Sequence, residues 1–145
     1  MPFFANQSRD QLRQMYFNAW RKYRERLPLE PVEAQVADVI ALHPEYHALL
    51  ESPEALHKDW TPEHGQTNPF LHMGLHLAIR EQVATDRPSG IRAAYQQLCA
   101  KHGETHATEH QMIECLAEAL WNAQRNNQPP NEQAYLARLQ QLAQR

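Results

Sequence analysis

The chain has 145 residues, with 42% hydrophobic and 21% charged side chains and a formal charge of −3 at pH 7. That is one domain's length, with enough apolar content to bury a core without staples, and it excludes a disordered chain. So small a net charge gives no ground for a nucleic-acid or membrane-surface partner.

In chain order the sequence predicts helix almost throughout. Ser8 is placed to cap a first helix reaching about Arg26, with Leu12, Met15, Tyr16, Ala19, Trp20 and Tyr23 at three- and four-residue spacing. This helix concentrates basic charge: Arg9, Arg13, Arg21, Lys22, Arg24 and Arg26 stand against Asp10 and Glu25. Such a set reads as the solvated face of an amphipathic helix before it reads as a docking site for an acidic partner. "LPLEP" then breaks the helix. Pro31 fits the first turn of a second helix with Val32, Val36, Val39 and Ile40 as its apolar stripe, interrupted at His43–Pro44. "HPEYHALLES" continues it briefly and carries His47. Residues 52–67 form the longest stretch without a clear period, an irregular loop of the length that often has a functional role.

Asn68–Pro69 is a strong helix start, a cap residue followed by proline at the first helical position. The third helix runs from there to about Asp86. Ser89 is the expected cap of a fourth helix to His102, which Gly103 ends. Thr105 is the expected cap of a fifth helix to about Asn126. After "NNQPPN", Asn131 caps a sixth that reaches the C-terminus. No alternating β-branched run and no hairpin dipeptide interrupts this series. The expected fold is therefore all-α, a single-domain helical bundle (1–145) of about six helices.

Nine histidines occur in the chain, and their placement separates two groups. In the third helix, Leu71, Leu75, Ile79 and Val83 form one apolar arc, with His72 and His76 within and beside it. At about 100° per residue these two histidines lie about 40° apart. In the fifth helix, His106 and His110 fall inside the apolar face of Met112, Ile113, Leu116, Ala117, Leu120 and Ala123. Glu114 follows one turn later, and Glu109 lies beside Ile113. Residues four apart stack on one helix face, so each HxxxH pair can bite one cation. Buried imidazoles and carboxylates are costly unless hydrogen-bonded, paired or bound to metal. The spacing predicts a metal centre with His72, His76, His110 and Glu114 as core ligands and His47 and His106 as additions. Such a mixed nitrogen and oxygen set suits zinc, iron or nickel. One metal with an open position would support hydrolysis, and two irons would support oxygen or redox chemistry. Glu109, about 100° from His110, reads as a hydrogen-bond or ion-pair partner and not a ligand. His43, His57, His64 and His102 lie at element boundaries or in loops and read as surface residues. The competing reading is a non-enzymatic interaction or scaffold protein whose histidines form a hydrogen-bonded core network without metal.

Other chemistry finds little support. "HATEH" matches the inverted zinc-protease signature, but only 35 residues follow His110 and no strands are predicted. "EALH" supplies one ExxH where a ferritin-like centre needs two. Cys99 and Cys115 form no CxxC and no disulfide framework, which suits a reducing compartment. "MPFFANQSRD" turns polar at once, so no signal peptide is expected, and no run approaches a membrane span. A cytoplasmic protein follows, with a small molecule or a protein as partner; apolar surface on the first and last helices is compatible with a homodimer.

The strings "HPEYHALLE", "DWTPEHGQTNPF", "NPFLHMGLHLAIREQVATDRPSGIR" and "HATEHQMIECLAEALWNAQRN" are long and distinctive. Through them the chain resembles the domain of unknown function 1841 family of small proteobacterial proteins, over most of its length. The resemblance implies a bacterial, cytoplasmic, single-domain protein. It brings no activity, substrate or catalytic residue with it.

Overall fold

The computed structural model describes residues 9–58, 60 and 68–145. Among them lie six α-helices: α1 (Arg9–Arg24), α2 (Pro31–Ala41), α3 (Pro69–Thr85), α4 (Ile91–His102), α5 (Thr105–Arg125) and α6 (Glu132–Gln144). Three short 3₁₀ turns, Pro44–Tyr46, Leu49–Glu51 and Pro53–Leu56, occupy the segment after α2, and the described residues contain no strand. The all-α expectation and its helix number are met. The expected cap Ser8, the residue His64 and the end of the 52–67 loop lie outside the described residues.

Local chemistry sets the helix ends. The Asn68 side-chain oxygen accepts from the backbone N–H groups of Phe70 and Leu71 at 3.0 and 3.2 Å, and Asn131 accepts from Ala134 at 3.0 Å. Both serve as sequence-predicted caps, each satisfying donors that the first turn leaves over. Gly103, with φ of 81°, ends α4 as expected, its N–H donating to the Cys99 carbonyl at 2.8 Å. Two expected caps are displaced. Gly90 (φ of 104°) stands at the start of α4 where Ser89 was expected, and Glu104 precedes α5 where Thr105 was expected. At the first of these, Asp86 supplies the missing acceptor from the end of α3. Its carboxylate accepts from Gly90 and Arg92 N–H at 3.2 and 3.0 Å. The Arg92 side chain returns the favour, donating to the Val83 and Ala84 carbonyls at 3.0 and 2.8 Å.

Two compact units are present, one up to Gly74 and one from Leu75 onward, and α3 contributes residues to each. In the first unit α1 packs on α2 and on the 3₁₀ turns, with Tyr16, Ala19, Trp20, Val36, Val39, Ile40 and Leu50 buried. The basic face of α1 is not wholly solvated. Arg13 is only 4% exposed and donates to the Leu56 and Lys58 carbonyls at 3.1 and 2.7 Å. Its guanidinium also lies over the rings of Trp60 and Phe70, at 5.2 and 4.8 Å from their centroids. A cation whose donors are used by carbonyls and whose face is covered by aromatic rings tolerates burial.

In the second unit α4, α5 and α6 pack together around Ile91, Leu98, Met112, Leu116, Tyr135 and Leu139, joined by Ile79 of α3. Two polar contacts pin this core at its edges. The Tyr135 hydroxyl donates to the Gln82 side chain at 2.8 Å, and the Lys101 ammonium donates to the Leu142 carbonyl at 2.9 Å. No helix among the described residues is long and apolar enough to cross a membrane.

Candidate metal centre

The buried side chains of α3 are Pro69, Phe70, Met73, His76, Leu77 and Ile79. At about 100° per residue their arcs centre near Met73, with His76 about 40° to one side. Leu71, assigned by sequence to the apolar arc, points the opposite way and is 61% exposed. His76 has no exposed surface. On α5 the buried face is Thr108, Glu109, Met112, Ile113, Cys115 and Leu116. His106 and His110 flank one margin of that face and are half-buried. Ala117 and Leu120 are exposed, which narrows the apolar face expected from sequence.

Packing brings the three histidines together. The His76 and His106 rings stack at 5.3 Å between centroids with planes 10° apart, and His110 meets them edge-on at 5.0 and 4.2 Å. Each offers a ligating nitrogen, and these atoms lie within 4.8 Å of one another. The nitrogens His76 Nε2, His106 Nδ1 and His110 Nε2 are all buried from solvent.

Glu109 sits beside them, 4% exposed. Its Oε1 lies 2.7 Å from His76 Nδ1, and Arg80 Nε lies 3.4 and 3.3 Å from Oε1 and Oε2. Burial works to raise the Glu109 carboxyl, but the His76 hydrogen bond and the Arg80 guanidinium outweigh it and hold it below the usual carboxylate range. An ionised carboxylate only accepts, so the hydrogen between the two belongs to His76 Nδ1. Nearby on α4, burial above all pushes the Tyr95 phenol up to about 12, so it stays neutral beside this ion pair.

The remaining expected ligands are placed differently. Glu114 is exposed and does not join the histidines. Successive four-residue steps drift by about 40°, so the step that keeps His106 near His110 carries Glu114 round to the face opposite the core. His47, half-buried, donates from Nε2 to the Ile40 carbonyl at 2.8 Å and packs against Trp20 at 4.3 Å, both within the first unit. His72, half-buried, meets the His43 ring edge-on at 5.1 Å and Tyr46 at 6.3 Å. His43 itself, read from sequence as a surface residue, is 1% exposed, with Nδ1 donating to the Val39 carbonyl at 2.7 Å. The signal for its burial was its i+4 relation to Val39 on the apolar stripe of α2. His57 and His102 are surface residues as expected, paired with Asp10 at 3.3 Å and Gln111 at 2.6 Å. Arg80 was not singled out by sequence; its signal was its position one turn after His76. Burial pushes the Cys115 thiol up, consistent with an inert thiol and not a nucleophile.

Fold and site together define an all-α protein with a cluster of one buried and two half-buried histidines, beside a carboxylate–guanidinium pair. The chain belongs to the family described as Domain of unknown function (DUF1841), which it matches over residues 8–141. No curated protein and no solved structure matches it.

Proposed function

We propose that the chain is a transition-metal-binding helical protein, with His76, His106 and His110 as ligands to a single divalent ion. The observation that carries this reading is the convergence of three histidine nitrogens within 4.8 Å, from residues that all belong to the second unit. Zinc, iron and nickel all accept imidazole. The donors gathered here are nitrogens, whereas paired-iron centres in helical bundles rely on carboxylates from several helices. That difference favours a mononuclear site over the dinuclear one. A fourth ligand, from protein or solvent, comes from outside this pair of ligand-bearing faces. An ion held by neutral imidazoles keeps its full positive charge, which acidifies a bound water and polarises an oxygen ligand, the basis of hydrolytic chemistry. The unbridged thiols of Cys99 and Cys115 suit a reducing, cytoplasmic setting.

Elemental analysis of protein purified without a nickel column tests the proposal. The expected result is one equivalent of metal per chain, lost in His76→Ala and His110→Ala and retained in Glu114→Ala. X-ray absorption of the loaded protein is expected to show at least three imidazoles at about 2.0–2.1 Å. Protein that stays folded, carries no metal and takes up neither zinc, iron nor nickel overturns the proposal. That outcome would favour the rival reading, an interaction protein in which the same histidines form a hydrogen-bonded core network.

A further inference from the structure

We propose that Glu109, steadied by Arg80, is a positioning residue that holds His76 as the Nδ1–H tautomer and aims its Nε2 at the metal. This rests on the metal-binding reading above. Imidazole is a rigid ring with its two nitrogens on different edges. Fixing a donor at Nδ1 therefore fixes both which nitrogen keeps a lone pair and where that lone pair points. Glu109 Oε1 makes this contact at 2.7 Å, and with the proton on Nδ1 the lone pair of the neutral His76 ring lies on Nε2. Metal-binding histidines are commonly braced in this way, which raises ligand basicity as well as orienting the ring.

The helix registers make the brace reciprocal. Arg80 follows His76 by one turn on α3, so both can reach the same carboxylate. Its Nε lies 3.4 and 3.3 Å from the two Glu109 oxygens. Glu109 comes from α5, adjacent in sequence to His110 and three residues after His106, the helix that carries the other two ligands. One carboxylate thus ties the ring of α3 to the two rings of α5 without occupying a coordination position. The guanidinium offsets the cost of burying that carboxylate before any metal arrives.

Cobalt(II) titration of the full chain, followed by visible absorption, tests the role. With Glu109→Gln the expected result is cobalt affinity weaker by about 10–100-fold together with a shifted absorption band. Arg80→Gln is expected to lie between that variant and the unsubstituted chain. Circular dichroism establishes that each variant is folded. Long-range ¹H–¹⁵N spectra of the metal-free, unsubstituted chain give a readout independent of any variant, and His76 is expected to carry its proton on Nδ1. A proton on Nε2, or a folded Glu109→Gln with unchanged affinity and band, overturns the inference while leaving the metal site standing. Complete loss of cobalt in folded Glu109→Gln, matching His76→Ala, makes Glu109 a ligand and overturns it too. An unsubstituted chain that takes up no cobalt overturns the metal reading, and the positioning role with it.

Discussion

Asp86 ends α3 in the left-handed region, with φ of 52°, and from there its carboxylate reaches the start of α4. The Arg92 backbone N–H, with the Gly90 N–H and the Arg92 charge behind it, holds this carboxyl below its ordinary value of 3.8, against a smaller opposing effect of burial. The unfolded chain therefore takes up this proton at a higher pH than the folded one. The contribution to stability is fully present above 3.8 and is lost as pH falls through the lowered folded value. Asp86→Asn is expected to flatten the acid limb of a plot of urea midpoint against pH, with little change in slope near neutrality. An acid limb identical to that of the unsubstituted chain would show that the caps at this corner are not electrostatic. Gly90 completes the corner: its φ of 104° is a conformation that L side chains rarely adopt, so a side chain there is strained even though the nearest atom, on Leu136, is 3.6 Å from an added Cβ.

Elements were easier to read than faces. Proline, asparagine and glycine mark where a chain can enter or leave a helix, and those constraints are local. The helix order and most boundaries therefore follow from the sequence. Which face turns inward depends on partners distant in sequence, and there the arithmetic of four-residue steps misleads. The series Leu71–Leu75–Ile79–Val83 starts on the solvent side and reaches the core only at Ile79. The series His106–His110–Glu114 starts at the core margin and leaves it. Both drift by about 40° per step. Glu109 was legible as a partner and not as a brace, because its contact with His76 crosses 33 positions of sequence. Arg13 was misread for the same reason: its carbonyl acceptors lie more than 40 residues downstream. It fastens the 3₁₀ turns to α1, and removing its charge takes the donor away from two part-buried carbonyls. Arg13→Met is expected to destabilise the protein by about 1–3 kcal/mol, as judged from the worth of charge-assisted bonds to part-buried carbonyls. Chemical denaturation measures it, and a loss under about 0.5 kcal/mol would mean the clamp is idle.

At the scale of the molecule, the histidine cluster joins helices whose contact is otherwise modest. The second unit's core is dominated by α4, α5 and α6, while α3 enters it through a few side chains such as Ile79 and the Tyr135–Gln82 bond. A metal bound by His76 of α3 and by His106 and His110 of α5 would add a linkage that the unfolded chain lacks, so binding energy becomes folding energy. With free metal at 100 times its dissociation constant the gain is about 2.7 kcal/mol, less whatever the unfolded histidines bind. For a chain of this size that corresponds to a rise in Tm of roughly 5–10 °C. The rise is expected with zinc or cobalt, reversed by a chelator, and absent in His110→Ala. Hydrogen exchange locates it: amides of α3 and of the first half of α5 should slow on loading, while those of α6, already held by Tyr135, Leu139 and Leu142, change little. An equal gain in His110→Ala would assign the stabilisation to surface histidines such as His57 and His102 and not to the clustered three.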